Sequence, residues 1–500
     1  VAEDPDLFFE IYGFEPLGPY DGQLSNDGEA VRLVDAIGNP VDHVRYFDGG
    51  DWSLWADGRG SSLELIDPFA DNSAPAAWGP SDESGKADWE EFRFSVDDYI
   101  PSSETELKLY LVERGICLVD DVTISGAGGT NLIPNGGFET TTAPWRIGGT
   151  HIRSRRTTED SASGLASLRI ESSGRGDMLV NRIETDTSPR LERGSYDVSL
   201  RARWVAGATI LVVHSEYHAG PFRRTPCITC GVPEPSLSGN SLAAALELSV
   251  PFDLGTPGAE NSATRALRLR MGEANAGPVI AAVRHDPPVP EPGETATVTA
   301  RIVDPDGVAR ATLYWAPNSA AGGFQAVPLA DDGLQGDGEA GDGIYGATLP
   351  SFASNARVVF YIEAEDERGA VAVSPREAPE RTNLVFSGRL NEDGIDTYRY
   401  ALDAQRTAEL QTRELHSNDL LDGTFVFENE EAYHRVGIRY RGSPWGRPTR
   451  ASHRVRFPDD HVFRDGLRDI NISKTGGATT EGAALFLIGR NARVGQPAPS

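Results

Sequence analysis

A chain of 500 residues, 39% hydrophobic and 24% charged, is long enough for three or four independently folded units, and its 54 glycines and 33 prolines argue against a helix-rich protein. The 75 acidic against 46 basic residues give a formal net charge of −29, which repels phosphate backbones and anionic membrane surfaces and excludes nucleic acid as a first partner. Three cysteines are too few for a disulfide framework, so each unit must be held by its own apolar core.

The fold class expected from this composition is mainly β, with several β-sandwich or jelly-roll domains in series. No charged-then-apolar leader is visible at Val1, and no run of about 18 apolar residues marks a membrane span. The chain begins without Met and stops at Ser500 directly after a helical pattern, so both ends are expected to continue in a longer protein.

In residues 1–85, the runs 30–35 and 41–46 flank Gly38-Asn39-Pro40 and predict a β-hairpin. Trp52, Trp55 and Leu63 to Ile66 follow at strand-to-strand spacing. Leu24-Ser25-Asn26-Asp27-Gly28-Glu29, Leu33-Val34-Asp35 and the stretch from Asp57 to Leu65 resemble the lamin tail domain, which implies an immunoglobulin-like sandwich here with its opening strands missing.

Residues 86–262 read as a second unit. Tyr196, Val198, Leu200, Ala202 and Trp204 fall on one face of a strand with a clean period of two. Asn131 to Glu139, followed by Trp145, is similar to the opening of the galactose-binding-like jelly rolls of many carbohydrate-binding modules. Leu118 to Val122 resembles the closing strand of such a module yet precedes its opening, so either the module is permuted or half of one precedes a whole one. Thr256 to Ser262 resembles the end of lamin tail domains and ties the jelly roll to the same composite unit. Trp145 is open to two readings, a sugar-stacking platform or a core residue. His214 and His218 followed by Cys227 and Cys230 offer four zinc ligands, although the order and spacing differ from those of a zinc finger. A loop disulfide or plain thiols would leave the same pattern.

After a linker at 263–277, residues 278–386 predict another sandwich, from the alternation of Ala296, Val298, Ala300 and Ile302 and of Val358, Phe360, Ile362 and Ala364. Asp304-Pro305-Asp306-Gly307, the stretch from Asp331 to Tyr345 and Tyr361 to Asp366 resemble the immunoglobulin-like or fibronectin-like domain that often precedes a CotH kinase domain. Asp331, Asp332, Asp337 and Asp342 are close enough in sequence to converge on calcium, without EF-hand spacing; a solvated Gly-Asp turn is the alternative.

From 390 to 500 the pattern changes. Helical spacing is expected within 398–416 and over 480–493, and helices are expected to enter the chain only here. Val436, Ile438 and Tyr440 alternate with Arg435, Arg439 and Arg441, and Val455 and Phe457 alternate with Arg454 and Arg456, predicting a hairpin with an arginine face. Arginine forks suit phosphate, whereas Asp459, Asp460, Asp465 and Asp469 can neutralise the same face. Gly437 to Ser443, Arg454 to Phe457 and Asp469 to Ile472 resemble the start of the CotH kinase family. That resemblance implies a nucleotide site contacted by Arg439, Arg441, Ser443, Arg450, Arg454 or Arg456, and ATP with Mg²⁺ or Mn²⁺ as cofactors of the complete domain. Arg450-Ala451 stands where relatives tend to place a lysine, and the metal-binding acidic residues would lie beyond Ser500, so no catalytic residue is assigned and the fragment alone is expected to be inactive. Two functions follow: an extracellular or cell-surface protein whose sandwiches bind glycan or protein partners and deliver a protein kinase, or a non-enzymatic adhesion scaffold with a degenerate CotH domain.

Overall fold

The computed structural model describes residues 1–473 apart from 59, 102–105, 178, 216–241, 273, 319–322, 390–396, 443–446 and 448–451. It is mainly β, as the composition implies, with antiparallel pairing in every named sheet. Among the described residues three short α-helices occur, and none is long and apolar enough to cross a membrane.

The first, α1 (Pro5–Tyr12), begins where Asp4 accepts the Leu7 amide and ends at Gly13 in a left-handed conformation. The predicted hairpin forms from β1 (Glu29–Val34) and β2 (Pro40–Tyr46). Strands β3 (Leu63–Leu65) and β4 (Trp78–Pro80) make a second pair. Among the described residues, 1–85 form two strand pairs and close no sandwich of their own, which differs from the expected sandwich: Val31, Leu33, Val34 and Val41 remain exposed on the hairpin. The segment instead acts as a strap. Trp55 packs on the neighbouring sandwich, Ala74 and Ala77 pack on Val279 of the next one, and Asp48 and Asp51 pair with Arg468 and Arg435 of the C-terminal sheet.

The first sandwich contains β5 (Glu90–Tyr99), β6 (Glu106–Leu111), β7 (Gly115–Ser125), β8 (Arg146–Ile147), β9 (Arg155–Thr157), β10 (Ser167–Ser172), β11 (Ile183–Asp186), β12 (Gly194–Gly207), β13 (Ile210–His214) and β14 (Ala243–Glu247). Two sheets, ordered β5-β12-β7-β10-β9 and β14-β13-β6-β11-β8, enclose one core that runs in sequence from Ala87 to Leu248. Strands before Asn131 therefore share both sheets with strands after it, so this is one module and not a half followed by a whole. Val198, Leu200, Ala202 and Trp204 are buried on one face of β12, as their alternation predicts.

The expected linker at 263–277 contains α2 (Ser262–Met271), so helices do not wait for the C-terminal segment. Its start is fixed by Glu64, which accepts Ser262 Oγ at 2.8 Å and the Ala263 amide at 3.0 Å. The second sandwich follows, with β15 (Val279–Asp286), β16 (Ala296–Val303), β17 (Val308–Pro317), β18 (Gln325–Leu329), β19 (Ile344–Leu349), β20 (Arg357–Asp366), β21 (Val371–Ser374) and β22 (Asn383–Phe386). Sheets β15-β16-β19 and β18-β17-β20-β21, with β22 also on β20, face each other across the predicted alternating residues. Among the described residues up to 386, two sandwich cores close, where turn spacing suggested at least three.

The C-terminal unit is an antiparallel meander of β23 (Tyr398–Ala401), β24 (Leu421–Phe427), β25 (Glu431–Tyr440), β26 (Ser452–Arg456) and β27 (Asp469–Ser473), with α3 (Ala404–Thr412) between the first two strands. At its centre Phe457 stacks on Phe463 and Phe425 meets both edge-on, and Leu410 of α3 joins the same cluster. The expected helix over 480–493 lies outside the described residues. The unit docks on the second sandwich through buried polar contacts: His285 Nδ1 lies 3.1 Å from His434 Nε2, Thr424 Oγ1 donates to Leu384 O at 2.8 Å, and Arg381 grips Asp422.

Candidate anion-binding site

β25 and β26 pair in the register that sets Arg439 opposite Arg454, so the predicted arginine hairpin is present. Its arginines have separate fates. Arg454 makes a two-pronged ion pair with Asp469, 2.8 Å on both sides, which holds its guanidinium above the usual range. Arg456 reaches Asp469 at 3.2 Å and Asp459 at 2.7 Å, and Arg435 closes on Asp51. Arg454 and Arg456 are thus both paired with carboxylates of their own unit. Arg441 is half-buried beyond the end of the strand, and Ser443 and Arg450 lie outside the described residues.

Arg439 is different. Its Nη1 donates to the Tyr440 carbonyl at 2.9 Å, and no described carboxylate comes within ion-pair distance. Two further arginines, not singled out from the sequence, converge on it. Arg413, at the C-terminus of α3, donates through Nη2 to Asp419 O at 2.9 Å and leaves Nη1 buried without a partner. Arg447, almost fully buried, donates to Gly442 O at 3.0 Å, Ser417 O at 3.2 Å and Asn418 Oδ1 at 2.8 Å, all neutral acceptors. Burial, then the charges of Arg447, Arg454 and Arg413, pull the Arg439 guanidinium down to about 10. Burial lowers Arg447 and Arg413 as well, against the opposing pull of Asp177 on the first and of Asp419 and Glu409 on the second. Like charges held together away from water are costly unless a counter-charge enters, and a multivalent oxyanion has the charge and acceptor geometry to fill that role.

The other sequence candidates separate clearly. Trp145 is 5% exposed, lies in the first core beside Phe138 at 5.4 Å, and donates its Nε1–H to Asn135 O at 3.1 Å, so its ring offers no face to a sugar. Asp331, Asp332, Asp337 and Asp342 do not gather as a ligand group. Asp331 accepts the Gly341 and Gly343 amides, Asp342 those of Glu339 and Ile344, and the buried Asp337 those of Asp332 and Gly333. Their oxygens shape the loop. The carboxylates that do gather are Asp304, Asp306 and Asp366. There Asp366 accepts the Arg368 and Ala370 amides and Asn275 Nδ2, and the Arg368 guanidinium sits 3.2 Å from Asp306, so the trio carries its own counter-charge. His214 is buried on β13; His218, Cys227 and Cys230 lie outside the described residues.

No protein-family model matches the chain, and no curated protein matches it. Among solved structures it is similar to the purple acid phosphatase from yellow lupin (Lupinus luteus) seeds, at 8% identity over 63% of this chain and 40% of that one, with a TM-score of 0.15. A likeness at that level carries no argument about fold or function.

Proposed function

We propose that the C-terminal sheet is the phosphate-contacting part of a CotH-like phosphotransferase, carried by sandwich modules that hold glycan or protein partners outside the cell. The observation that carries this reading is the grouping of Arg413, Arg439 and Arg447, whose hydrogen-bond acceptors among the described residues are neutral. In a chain of net charge −29, a group of arginines held by neutral acceptors is a place to which a phosphate is drawn. ATP with Mg²⁺ or Mn²⁺ belongs to this reading as the ligand of the complete domain, the metal offsetting charge on the transferring group. The non-enzymatic scaffold is the second reading, favoured by the internal pairing of Arg454 and Arg456 with Asp469 and Asp459.

Calorimetric titration of the 500-residue chain with pyrophosphate separates the two. Binding is expected in the micromolar to millimolar range and should weaken about tenfold or more in Arg439→Ala, the loss of one charge-assisted contact. Absence of binding at several millimolar, or equal affinity in Arg439→Ala, would leave the scaffold as the better account.

A further inference from the structure

Resting on the phosphate reading above, we propose that the first sandwich keeps the arginine cluster open for anions, by clamping the 416–419 loop through Asn181 and by holding two nearby carboxylates away from the guanidiniums.

Asn181 is fully buried two residues before β11, and its amide uses all four of its hydrogen-bonding capacities. Two bonds stay within its own module, to Asp177 Oδ2 at 2.6 Å and from the Thr150 amide at 3.2 Å. The other two cross to the C-terminal unit: Nδ2 donates to His416 O at 3.3 Å, and Oδ1 accepts the Asn418 amide at 2.8 Å. The loop gripped in this way supplies Ser417 O and Asn418 Oδ1 to Arg447 and Asp419 O to Arg413. One side chain of another module thus sets the acceptors that aim two of the three guanidiniums.

The same surface controls charge. Asp419 presents its main-chain oxygen to Arg413, while its carboxylate, whose charge also acts on Arg413, accepts Ser173 Oγ of the first sandwich at 2.6 Å. Released from Ser173, that carboxylate would be free to reach for the unpartnered Nη1 of Arg413 and cancel one positive charge. Asp177 is similarly engaged. Its Oδ1 accepts the amides of Leu179, Val180 and Asn181, and its Oδ2 takes the Asn181 and Asn418 side-chain amides, so it draws on Arg447 without pairing with it. Contacts with the first sandwich thus occupy two of the carboxylates whose charge acts on the cluster. Asn181 and Ser173 are positioning residues, and a displacement of either would alter anion affinity at the C-terminal sheet.

The test measures pyrophosphate affinity of the 500-residue chain and its variants by calorimetry. Asn181→Ala is expected to weaken binding roughly tenfold, through loss of two crossing hydrogen bonds. Because a buried asparagine is also a folding risk, a charge-specific cycle is run beside it. Ser173→Ala should weaken binding by roughly three- to tenfold, the scale of one released ion pair, and Ser173→Thr, which keeps the hydroxyl, should restore it. In an Asp419→Asn background, where no carboxylate can swing over, Ser173→Ala should have no effect, an outcome that a general loosening of the loop would not give. If the unmodified chain binds pyrophosphate but Ser173→Ala binds equally well, or if its defect persists with Asp419→Asn, the proposal fails while the phosphate reading stands. If the unmodified chain does not bind, both fall.

Discussion

Acidification from pH 7.5 to 4.5 is expected to remove about 4 kcal/mol from the unfolding free energy, because several histidines are buried where they must remain neutral. His151 accepts the Leu111 amide on Nε2 at 3.0 Å, so protonation there breaks a bond inside the first sandwich; burial brings this ring down to about 3. At the joint with the C-terminal sheet, burial brings His285 down to about 4. His434, facing His285 and flanked by Arg435 and His461, is lowered by burial first and then by those charges. In the unfolded chain each ring titrates near 6.5, so across this window the unfolded state binds protons that the folded state refuses. Their stabilisation is fully present above about pH 6.5 and is lost as the pH falls towards 4 for His285 and towards 3 for His151.

His151 and His285 each contribute about 2–3 kcal/mol of loss by pH 4.5, at about 1.4 kcal/mol per pH unit, and His434 acts in the same direction. Carboxylates raised by burial work against them, Asp460 and Asp304 most. Burial, then the charge of Asp51, pushes Asp460 up to about 6; burial, then the charges of Asp366, Asp306 and Asp67, does the same to Asp304. Their protonation favours the folded state as the pH falls below 6, by about 2 kcal/mol at most, and less at the part-exposed Asp304 after solvent screening. The histidines outweigh them. Urea unfolding at pH 7.5, 6.0 and 4.5 reads the difference, and a His434→Gln variant should show a shallower pH dependence. Stability constant to within 1 kcal/mol over that range would refute the account.

Local patterns were legible from the sequence where one strand carries its own answer. The alternations of β12, β16 and β20 gave the buried faces, and the two arginine strands gave both the hairpin and the place of Arg439. What could not be read locally is pairing over long distances. Strand β5 lies against β12, about a hundred residues later, so the unity of the first sandwich is a property of the pairing. The strap formed by residues 48–80 misled for a related reason. Its tryptophans and alanines look like a core of their own, but they complete clusters belonging to other modules. The missed helices did leave signals: Asp4-Pro5 is a cap followed by a helix-compatible proline, and Gly13 is a left-handed stop.

The site was half legible. Arg439 could be selected because it sits on a patterned strand, whereas Arg413 and Arg447 come from a helix end and a turn whose approach is set by contacts with another module. Nothing in their own neighbourhoods announces that convergence. Conversely, Arg454 and Arg456 share the strand pattern of Arg439 but meet Asp469 and Asp459, the acidic residues that the sequence offered as their alternative partners. Pattern placed the arginines, and tertiary pairing decided which of them have a carboxylate partner among the described residues.

Trp145 provides the sharpest division between a glycan platform and a core residue, since the two roles predict opposite results for a single substitution. Its indole packs against Phe138 within the core that also contains Ile133, Leu168 and Ile183, and its Nε1–H meets the Asn135 carbonyl at 3.1 Å. Asn135 is itself held in a left-handed conformation, its side-chain amide donating to the carbonyls of Thr141 and Ala143, so the ring and the loop brace each other. Trp145→Ala would remove the buried ring and open a cavity that rigid sheets on either side cannot fill by collapse. The expected cost is about 3–5 kcal/mol of stability in the first sandwich, with most of the change in the unfolding midpoint and little in the denaturant slope. Trp145→Phe, which keeps apolar volume but loses the hydrogen bond, should fall between the two. A stacking platform would instead leave unfolding within about 0.5 kcal/mol of the parent and reduce sugar binding alone. Chemical denaturation of the three proteins, followed by far-ultraviolet circular dichroism so that the removed indole does not bias the signal, distinguishes these outcomes, and an unchanged midpoint in Trp145→Ala would restore the platform reading.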